Sequence, residues 1–260
     1  MAEVTLNVAG EDKEYCTLAD YQKSLLADYR KDWLYADLEA DERAIIEKAR
    51  PYTMTCPERM ISLIRAVKYV INNNIPGDFV ECGVWKGGSV MIIALTLMET
   101  GRRDRKIYLY DTFEGMTQPG REDIDVYGSS AIPMFDSTYD SKEKASNWMC
   151  SRLHEVRSNV YQTNYPESNF VFISGKVEDT IPRVLPESIA ILRLDTDWYE
   201  STYHELVHLF PLVSRRGMLI VDDFGHWEGA KLAVRRYFDE NHIDMFLNRV
   251  DYTCRMGQKL

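Results

Sequence analysis

Apolar positions along this chain follow two patterns, and the change between them falls near residue 78. Before that point the spacing is helical. A first helix is predicted from apolar residues at three- and four-residue intervals: Leu18, Tyr21, Leu25, Leu26 and Tyr29. A second helix is expected over about 39–50, and a third begins at Pro57. Residues 1–75 are therefore predicted to form a helical extension and cap.

After residue 78, short apolar runs alternate with helical segments. The predicted strands are FVECGV (79–84), KIYLYDTF (106–113), FVFISGK (170–176), IAILRLD (189–195) and GMLIVDD (217–223). Strands of this kind indicate a parallel sheet that is covered on both faces. Two further runs, 245–252 and 253–259, are too close in sequence for a crossover and should pair antiparallel. We expect a doubly wound α/β fold with a mostly parallel sheet and an antiparallel C-terminal hairpin over 78–260, within a single domain.

Carboxylates lie at or near the ends of four predicted strands: Glu81, Asp111, Asp195 and the pair Asp222–Asp223. Ligands of such sheets bind beyond the carboxyl ends of the strands, so these acids should converge on one cleft. Burying adjacent carboxylates without a partner costs several kcal/mol. The pattern therefore predicts a positively charged group in this cleft.

The segment ECGVWKGGSV (81–90) predicts a glycine-rich turn between a strand and a helix that begins near Gly88 or Ser89. Such turns let the backbone approach a ligand at a helix N-terminus. The dinucleotide spacing GxGxxG is absent, and the acidic Glu81 favours a cationic group over a pyrophosphate. Asp111 could bind a ribose diol. An ordinary βα turn and a helix-capping role for Asp111 are the alternatives.

Asp195, Asp222 and Asp223 suit a hard divalent cation, Mg²⁺ or Mn²⁺, since such cations prefer oxygen ligands. The alternative is a capping role for Asp195 or Asp197 and a solvated turn at 222–223.

The run HELVH (204–208) matches the zinc-protease pattern HExxH. On a helix, Tyr203, Leu206, Val207 and Phe210 would pack on the sheet, with the histidines outward and Glu205 nearly opposite. This placement disfavours a zinc hydrolase, because both histidines of such a site face a cleft.

The polar segment 117–148 is long for a loop inside a compact domain. It follows the second predicted strand, so it could fold over the cleft as a lid. A disordered surface insertion is the alternative.

Composition excludes several classes of function. The net charge of −10 disfavours nucleic acid and anionic membranes as partners. The first residues lack the apolar core of a signal peptide, and the longest apolar stretch, Val90 to Met98, is too short to span a bilayer. Five scattered cysteines without a CxxC motif indicate a reduced, cytoplasmic protein.

The five motifs VECGVWKGGSV, YDTFEGM, GKVEDT, LRLDTDWYEST and LIVDDFGHWEGA, in this order, resemble those of the macrocin O-methyltransferase family. The resemblance covers about 52–238. It implies a Rossmann-like class I methyltransferase fold and a reaction that depends on S-adenosyl-L-methionine (SAM) and Mg²⁺ or another hard divalent cation. The implied acceptor is a small glycosylated natural product, methylated on a sugar hydroxyl of a vicinal diol.

The resemblance also implies roles for individual residues. Asp195, Asp222 and Asp223 would be the metal ligands, and Asp195 would be the general base. Asp111 would bind the SAM ribose. The other residues implied in cofactor binding are Thr53, Met54, Glu81, Gly83, Gly87, Ser89, Phe113, Gly175 and Val177. By analogy with other proteins of this fold, we expect a homo-oligomer, a dimer.

Two departures from the family pattern, Thr196 between the aspartates and Cys82 after Glu81, leave the implied cofactor and metal sites intact. A catechol-type O-methyltransferase, with a similar cofactor and metal site, is the first alternative function. A non-enzymatic nucleotide-binding module is the second, although it would not require three metal-binding carboxylates.

Overall fold

A computed structural model of the chain describes residues 4–8, 11–15, 36–142 and 145–260. The chain divides into two compact units, Met1–Ala44 and Ile45–Leu260.

The first unit contains a β-hairpin. Strand β1 (Val4–Val8) pairs antiparallel with β2 (Glu11–Tyr15), so that Val4 lies opposite Tyr15. The structure differs here from the predicted helical extension. The run VTLNV alternates apolar and polar residues and contains β-branched side chains, which favours a strand. The helix predicted from Leu18 to Tyr29 lies outside the described residues.

The remaining strands are β3 (Asp78–Cys82), β4 (Ile107–Asp111), β5 (Tyr139–Asp140), β6 (Ala145–Ser146), β7 (Phe170–Ser174), β8 (Ile189–Leu194), β9 (Val213–Val221), β10 (Leu247–Arg249) and β11 (Arg255–Gln258). The α-helices are α1 (Ala40–Ala49), α2 (Pro57–Asn72), α3 (Gly88–Glu99), α4 (Ile132–Thr138), α5 (Leu153–Tyr161), α6 (Val177–Thr180), α7 (Tyr199–Leu209) and α8 (Glu228–Glu240). Short 3₁₀ turns occur at Arg50–Tyr52, Glu167–Asn169 and Phe210–Leu212.

Within the described residues, a seven-stranded sheet has the order β10-β11-β9-β8-β3-β4-β7. Neighbouring strands from β9 to β7 run parallel, whereas β11 pairs antiparallel with both β9 and β10. The predicted α/β fold with a mostly parallel sheet and an antiparallel C-terminal pair is confirmed. The last parallel strand begins earlier than predicted, at Val213, and ends at Val221, so Asp222 and Asp223 lie just beyond it.

The core lies on both faces of this sheet. All six residues of the central strand β8 are buried, which explains its nearly continuous apolar sequence. On one face, strand residues pack with Leu206 and Leu209 of α7 and with Val234 and Tyr237 of α8. Helices α2 and α3 pack against each other and contact β8 and β4, respectively. Full burial of an aliphatic side chain stabilises the fold by about 1.5–3 kcal/mol.

No helix in the described ranges is long and apolar enough to cross a membrane. The cysteines that the structure describes (Cys56, Cys82, Cys150 and Cys254) are free thiols. Segment 117–148 contains α4 and the two-residue strands β5 and β6. It follows β4 and therefore starts at the edge of the sheet where the acidic strand ends meet.

Candidate active site

A cleft of about 350 Å³ lies at the carboxyl ends of β3, β4, β8 and β9. Every site residue predicted above contributes to its lining except Gly87 and Phe113. The four acidic strand ends therefore converge on one cleft, as predicted. Residues to which the sequence analysis gave no role in cofactor or Mg²⁺ binding also line it, among them Arg59, Trp148 and Asp197.

The glycine-rich loop after β3 forms one wall of the cleft. Gly83 has φ of +78°, and its N–H donates to the carbonyl of Tyr110 at 2.9 Å. A Cβ at this position would lie 2.5 Å from the carbonyl carbon of Asp195 and collide with its oxygen. Glycine is therefore required where β3 and β8 approach each other. Gly87 has a different role, since a Cβ there would lie 2.8 Å from Cγ1 of Val160 in α5.

Asp111 organises this loop through its carboxylate. Oδ2 accepts the N–H groups of Val84 and Trp85 at 2.6 and 3.1 Å, and Oδ1 accepts the N–H of Phe113 at 2.7 Å. Burial raises the pKa of Asp111, whereas these three N–H groups oppose the rise. The carboxylate predicted to bind a ribose thus holds the loop in this structure. Phe113, buried with φ of +54°, packs behind the wall instead of lining it.

A buried arginine that the sequence analysis missed contacts three of the carboxylates that line the cleft. Arg193 lies on β8 with its side chain 3% exposed. Nη1 donates to Oε1 of Glu81 and to Oδ2 of Asp195, and Nη2 donates to Oδ1 of Asp222, each at 2.6 Å. Glu81 is its direct partner in the register of β3 and β8. One guanidinium therefore forms ion pairs with carboxylates from three adjacent strands.

Burial nevertheless dominates the titration of Glu81. Removal from water raises the pKa of Glu81 to about 8, although Arg193 and a hydrogen bond from Ser89 lower it. Its second oxygen, Oε2, is buried without a hydrogen-bond partner. Because Glu81 lines the cleft, a ligand group that donates a hydrogen bond to this oxygen would be stabilised there.

A second arginine, Arg59 of α2, completes the surroundings of Asp222. It forms ion pairs with Oδ2 of Asp222 and, through Nε at 3.0 Å, with Oδ2 of Asp251. Burial alone would raise the pKa of Asp222, but Arg193 and Arg59 bring it below its ordinary value. Both oxygens of Asp222 are thus engaged by arginines.

Among the described residues, the carboxylates that meet in the arrangement of a metal site are Asp195, Asp197 and Asp223. One oxygen of each lies within 4.8 Å of the others. This set shares Asp195 and Asp223 with the predicted ligands, but Asp197 takes the place of Asp222. We call these three residues the acid cluster.

The acid cluster is short of positive charge. Burial raises the pKa of Asp195 to about 6, against the lowering effect of Arg193. Burial and the nearby Asp195 raise the pKa of Asp197 to about 7. The pKa of Asp223 is well above its ordinary value because of burial and its neighbour Asp197. Oδ2 of Asp223 is buried without a hydrogen-bond partner. Three oxygen donors with an unpaired buried oxygen fit a hard divalent cation.

The orientation of helix α7 about its axis differs from that predicted for HELVH. Glu205 is fully buried, whereas Val207 is 38% exposed. The hydroxyl of Thr196 donates to Oε1 of Glu205 at 3.0 Å, which places the glutamate beneath the turn between Asp195 and Asp197. Burial raises the pKa of Glu205 well above its ordinary value. A buried polar side chain on this face was not detectable from the apolar periodicity.

The histidines of HELVH do not form a cleft site. Their rings lie 4.5 Å apart, and Nε2 of His204 is 2.9 Å from the carbonyl oxygen of Ile181. Neither histidine lines the cleft, so the pattern does not indicate a zinc centre there.

An aromatic cluster borders the acid cluster on the side of segment 117–148. The rings of Trp148, Trp198 and Trp227 contact one another, with centroid distances of 5.6 Å (Trp148–Trp198), 5.0 Å (Trp198–Trp227) and 6.4 Å (Trp148–Trp227). Nε1 of Trp227 donates to Oδ2 of Asp197 at 3.1 Å. The indoles thus pack the segment against the turns that carry the acids.

Comparison with known proteins extends these observations. The model of the family described as macrocin O-methyltransferase (TylF) matches residues 35–259. Demethyldecarbamoylnovobiocin O-methyltransferase from Streptomyces niveus is 33% identical over 189 residues, which cover 73% of this chain and 68% of that protein. The 8-demethyl-8-(2,3-dimethoxy-α-L-rhamnosyl)-tetracenomycin-C 4'-O-methyltransferase of Streptomyces olivaceus is 30% identical, covering 78% and 73%. The solved structure of the O-methyltransferase NovP superposes with a TM-score of 0.69 at 31% identity, covering 80% of this chain and 82% of that chain.

Proposed function

Since this chain belongs to the macrocin O-methyltransferase family and is an O-methyltransferase of natural-product glycosides, we propose that it moves a methyl group from SAM to a sugar hydroxyl with the help of a hard divalent cation. The observation that carries the proposal is the placement of a glycine-rich loop and an acid cluster in one cleft.

The donor is proposed to lie along the glycine-rich loop. Glu81, Gly83 and Ser89 would hold the amino-acid part of SAM, and the buried, unpartnered Oε2 of Glu81 suits its ammonium group. Gly175 and Val177 line the same cleft and would flank the adenine, while Asp111 would reach the ribose. Thr53 and Met54 would close over the donor. Gly87 and Phe113 would act by shaping the loop, because they do not line the cleft.

The acid cluster is proposed to hold the cation, Mg²⁺ or a similar ion. Asp195 and Asp223 belong both to the predicted ligand set and to the observed cluster. Asp197 is better placed than Asp222 as the third ligand, since arginines engage both oxygens of Asp222. A cation bound there would supply positive charge that lowers the pKa of a neighbouring hydroxyl.

A carboxylate in this cluster would accept the proton of the acceptor hydroxyl. Asp195 is the proposed base from the family resemblance, but Arg193 already donates to one of its oxygens. Asp197, whose Oδ2 accepts a hydrogen bond from Nε1 of Trp227, is the second candidate for the base. The hydroxyl oxygen would then attack the SAM methyl, giving a methyl ether and S-adenosylhomocysteine.

The acceptor is proposed to be a glycosylated natural product with a vicinal diol. The names of two relatives state that they methylate demethyldecarbamoylnovobiocin and a rhamnosylated tetracenomycin C. Trp148, Met149 and Tyr252 line the cleft near the acid cluster and would contact this acceptor. A catechol-type acceptor is the alternative, and parallel assays with glycosides, free aglycones and catechols would separate the two.

The first test is cofactor binding. S-adenosylhomocysteine at about a hundred times its dissociation constant should stabilise the protein by roughly 2.7 kcal/mol. This corresponds to a rise in melting temperature of about 5–10 °C. NAD⁺ should cause no rise, and the opposite result would refute the proposed donor site.

The second test measures methyl transfer with Mg²⁺ or EDTA. We expect EDTA to stop turnover and Mg²⁺ to restore it, because the cluster needs a cation. Asp223→Asn should abolish turnover while S-adenosylhomocysteine still binds, and Asp239→Asn, an exposed position on α8, is the matched control. Calorimetric Mg²⁺ titration of Asp197→Asn and Asp222→Asn identifies the third ligand. We expect the larger loss of Mg²⁺ affinity in Asp197→Asn. Undiminished turnover in EDTA would refute the cation requirement.

Homodimer assembly and a cytoplasmic location remain predictions. Light scattering coupled to size-exclusion chromatography would check the first, and cell fractionation the second.

A further inference from the structure

Asp123, in segment 117–148, is a buried carboxylate outside the cleft. The residue is 1% exposed to solvent. Oδ1 accepts the N–H of Tyr199 at 2.8 Å, and Oδ2 accepts the N–H of Gly120 at 2.6 Å. Tyr199 is the first residue of α7 and follows Asp197 by two positions. The carboxylate therefore ties its own loop to the turn that carries Asp195 and Asp197.

The same loop is also attached to the turn that follows Asp223. The N–H of Glu228 donates to the carbonyl of Ile124 at 2.8 Å, and Asp125 forms a β-bridge with Trp227. Gly229, in the first turn of α8, approaches Asp123 so closely that a Cβ would collide with Oδ1 and lie 3.1 Å from the carboxyl carbon. Asp123 is thus wedged between the starts of α7 and α8.

Indole contacts support this connection independently. Nε1 of Trp198 donates to the carbonyl of Thr117 at 3.0 Å, while Nε1 of Trp227 donates to Asp197 itself. Residues 117–125 therefore hold both the turn after Asp197 and the turn after Asp223. Asp123 itself does not line the cleft.

We propose that Asp123 is a positioning residue, which anchors loop 117–131 to the starts of α7 and α8 and thereby fixes the relative position of Asp197 and Asp223. Removing the anchor frees both turns at once, because each is connected to the same short stretch of loop. The glycine-rich loop should be unaffected, since Asp123 makes none of its contacts with residues 83–89. The expected effect of Asp123 on cation binding rests on the proposed function, but its role as an anchor of the loop does not.

Hydrogen–deuterium exchange tests the anchoring without any ligand. Asp123→Asn keeps the side-chain volume and one carbonyl acceptor, but its amide group cannot accept both N–H groups. Asp123→Ala removes both acceptors. We expect faster exchange in peptides covering 195–202 and 222–230 in both variants, with unchanged exchange in a peptide covering 83–90. Glu122→Gln, the exposed neighbour, should exchange like the wild type.

Gly229→Ala perturbs the same contact from the other side. It should accelerate exchange in the same two peptides. In the Asp123→Ala background the added methyl group no longer meets the carboxylate, so the double variant should show less than the sum of the two single effects. Additive effects, or equal acceleration throughout the protein, would overturn the proposal. Unchanged exchange in Asp123→Asn, Asp123→Ala and Gly229→Ala would also overturn it.

Binding measurements separate positioning from a general loss of structure. Calorimetry with Mg²⁺ should show a loss of affinity of roughly 10–100-fold in Asp123→Asn, as expected when a residue that supports metal ligands is removed. S-adenosylhomocysteine affinity should be retained. If the wild type binds no Mg²⁺, the cation part of the proposed function fails, and the exchange experiment still decides the role of Asp123. Equal Mg²⁺ affinity of wild type and variant would contradict the inference.

Discussion

Arg193→Met is the substitution that most directly tests the charge balance among the carboxylates that line the cleft. The variant keeps an unbranched side chain but removes the guanidinium, which makes hydrogen bonds of 2.6 Å to Glu81, Asp195 and Asp222. Since the arginine side chain is 3% exposed, little water can replace it. The three carboxylates would be left close together, and Arg59 would still form its ion pair with Asp222.

Removing one partner of a buried ion pair typically costs about 3–5 kcal/mol. For a chain of this size, that loss lowers the melting temperature by roughly 6–20 °C. The loss should also depend on pH. Arg193 lowers the pKa of Glu81 and Asp195, so its removal raises both pKa values further. The stability difference between wild type and variant should therefore be largest at about pH 8, where these groups ionise in the folded wild type but less readily in the folded variant. It should be smallest at about pH 5.5, where both proteins hold these protons.

The assay is denaturant unfolding of the metal-free protein, followed by circular dichroism at both pH values. Arg183→Met, an exposed position, is the control and should change the free energy of unfolding by less than about 0.5 kcal/mol. Arg193→Lys retains one charge but cannot reach three carboxylates in the same geometry, so it should fall between the wild type and Arg193→Met. A loss below about 1 kcal/mol for Arg193→Met, or a loss independent of pH, would refute the argument.

Further predictions concern local geometry and titration. Gly83→Ala should destabilise the fold far more than Gly101→Ala in thermal melts, because both glycines have positive φ but only Gly83 has no room for a Cβ. Thr196→Val should cost about 1–3 kcal/mol of unfolding free energy by leaving buried Glu205 without its donor, whereas Glu205→Gln should cost less in the same assay, since burial favours the neutral acid. In denaturant titrations of the metal-free wild type, stability should fall as pH rises from about 5 to 8, because groups with raised folded-state pKa values bind protons more tightly when folded. Those groups include Glu81, Asp195 and Asp197. A rise in stability over this range would contradict that assignment.

The sequence by itself determined the parallel sheet and the convergence of the acids. Hydrophobic periodicity reports local backbone structure and burial, so β3, β4, β7, β8 and β9 could be located from nearly continuous apolar runs. The position of each carboxylate at a strand end then followed from the topology of parallel sheets. The β1–β2 hairpin was missed because the helical signal of the following residues was extended over it.

The tertiary structure decided how the charges are paired. Arg193 is separated from Glu81 by 112 residues and from Asp222 by 29, and Arg59 from Asp222 by 163. No local pattern relates such residues, because their contact depends on which strands are neighbours and in which register they pair. The arginine in IAILRLD was visible as a charge within an apolar strand, but its partners were not.

The same reasoning explains why Asp197 joined the acid cluster in place of Asp222. A sequence shows that both residues lie near strand ends, but not the direction in which each side chain points. Asp197 has φ of +68°, a backbone conformation that turns the chain sharply between Asp195 and α7. Burial of Glu205 under this turn was likewise hidden, because the apolar periodicity of α7 placed this side chain nearly opposite the face expected to pack on the sheet, whereas it is buried and accepts a hydrogen bond from Thr196. The sequence alone thus placed the acidic strand ends at one cleft, and three-dimensional packing determined which of them remain without a cationic partner.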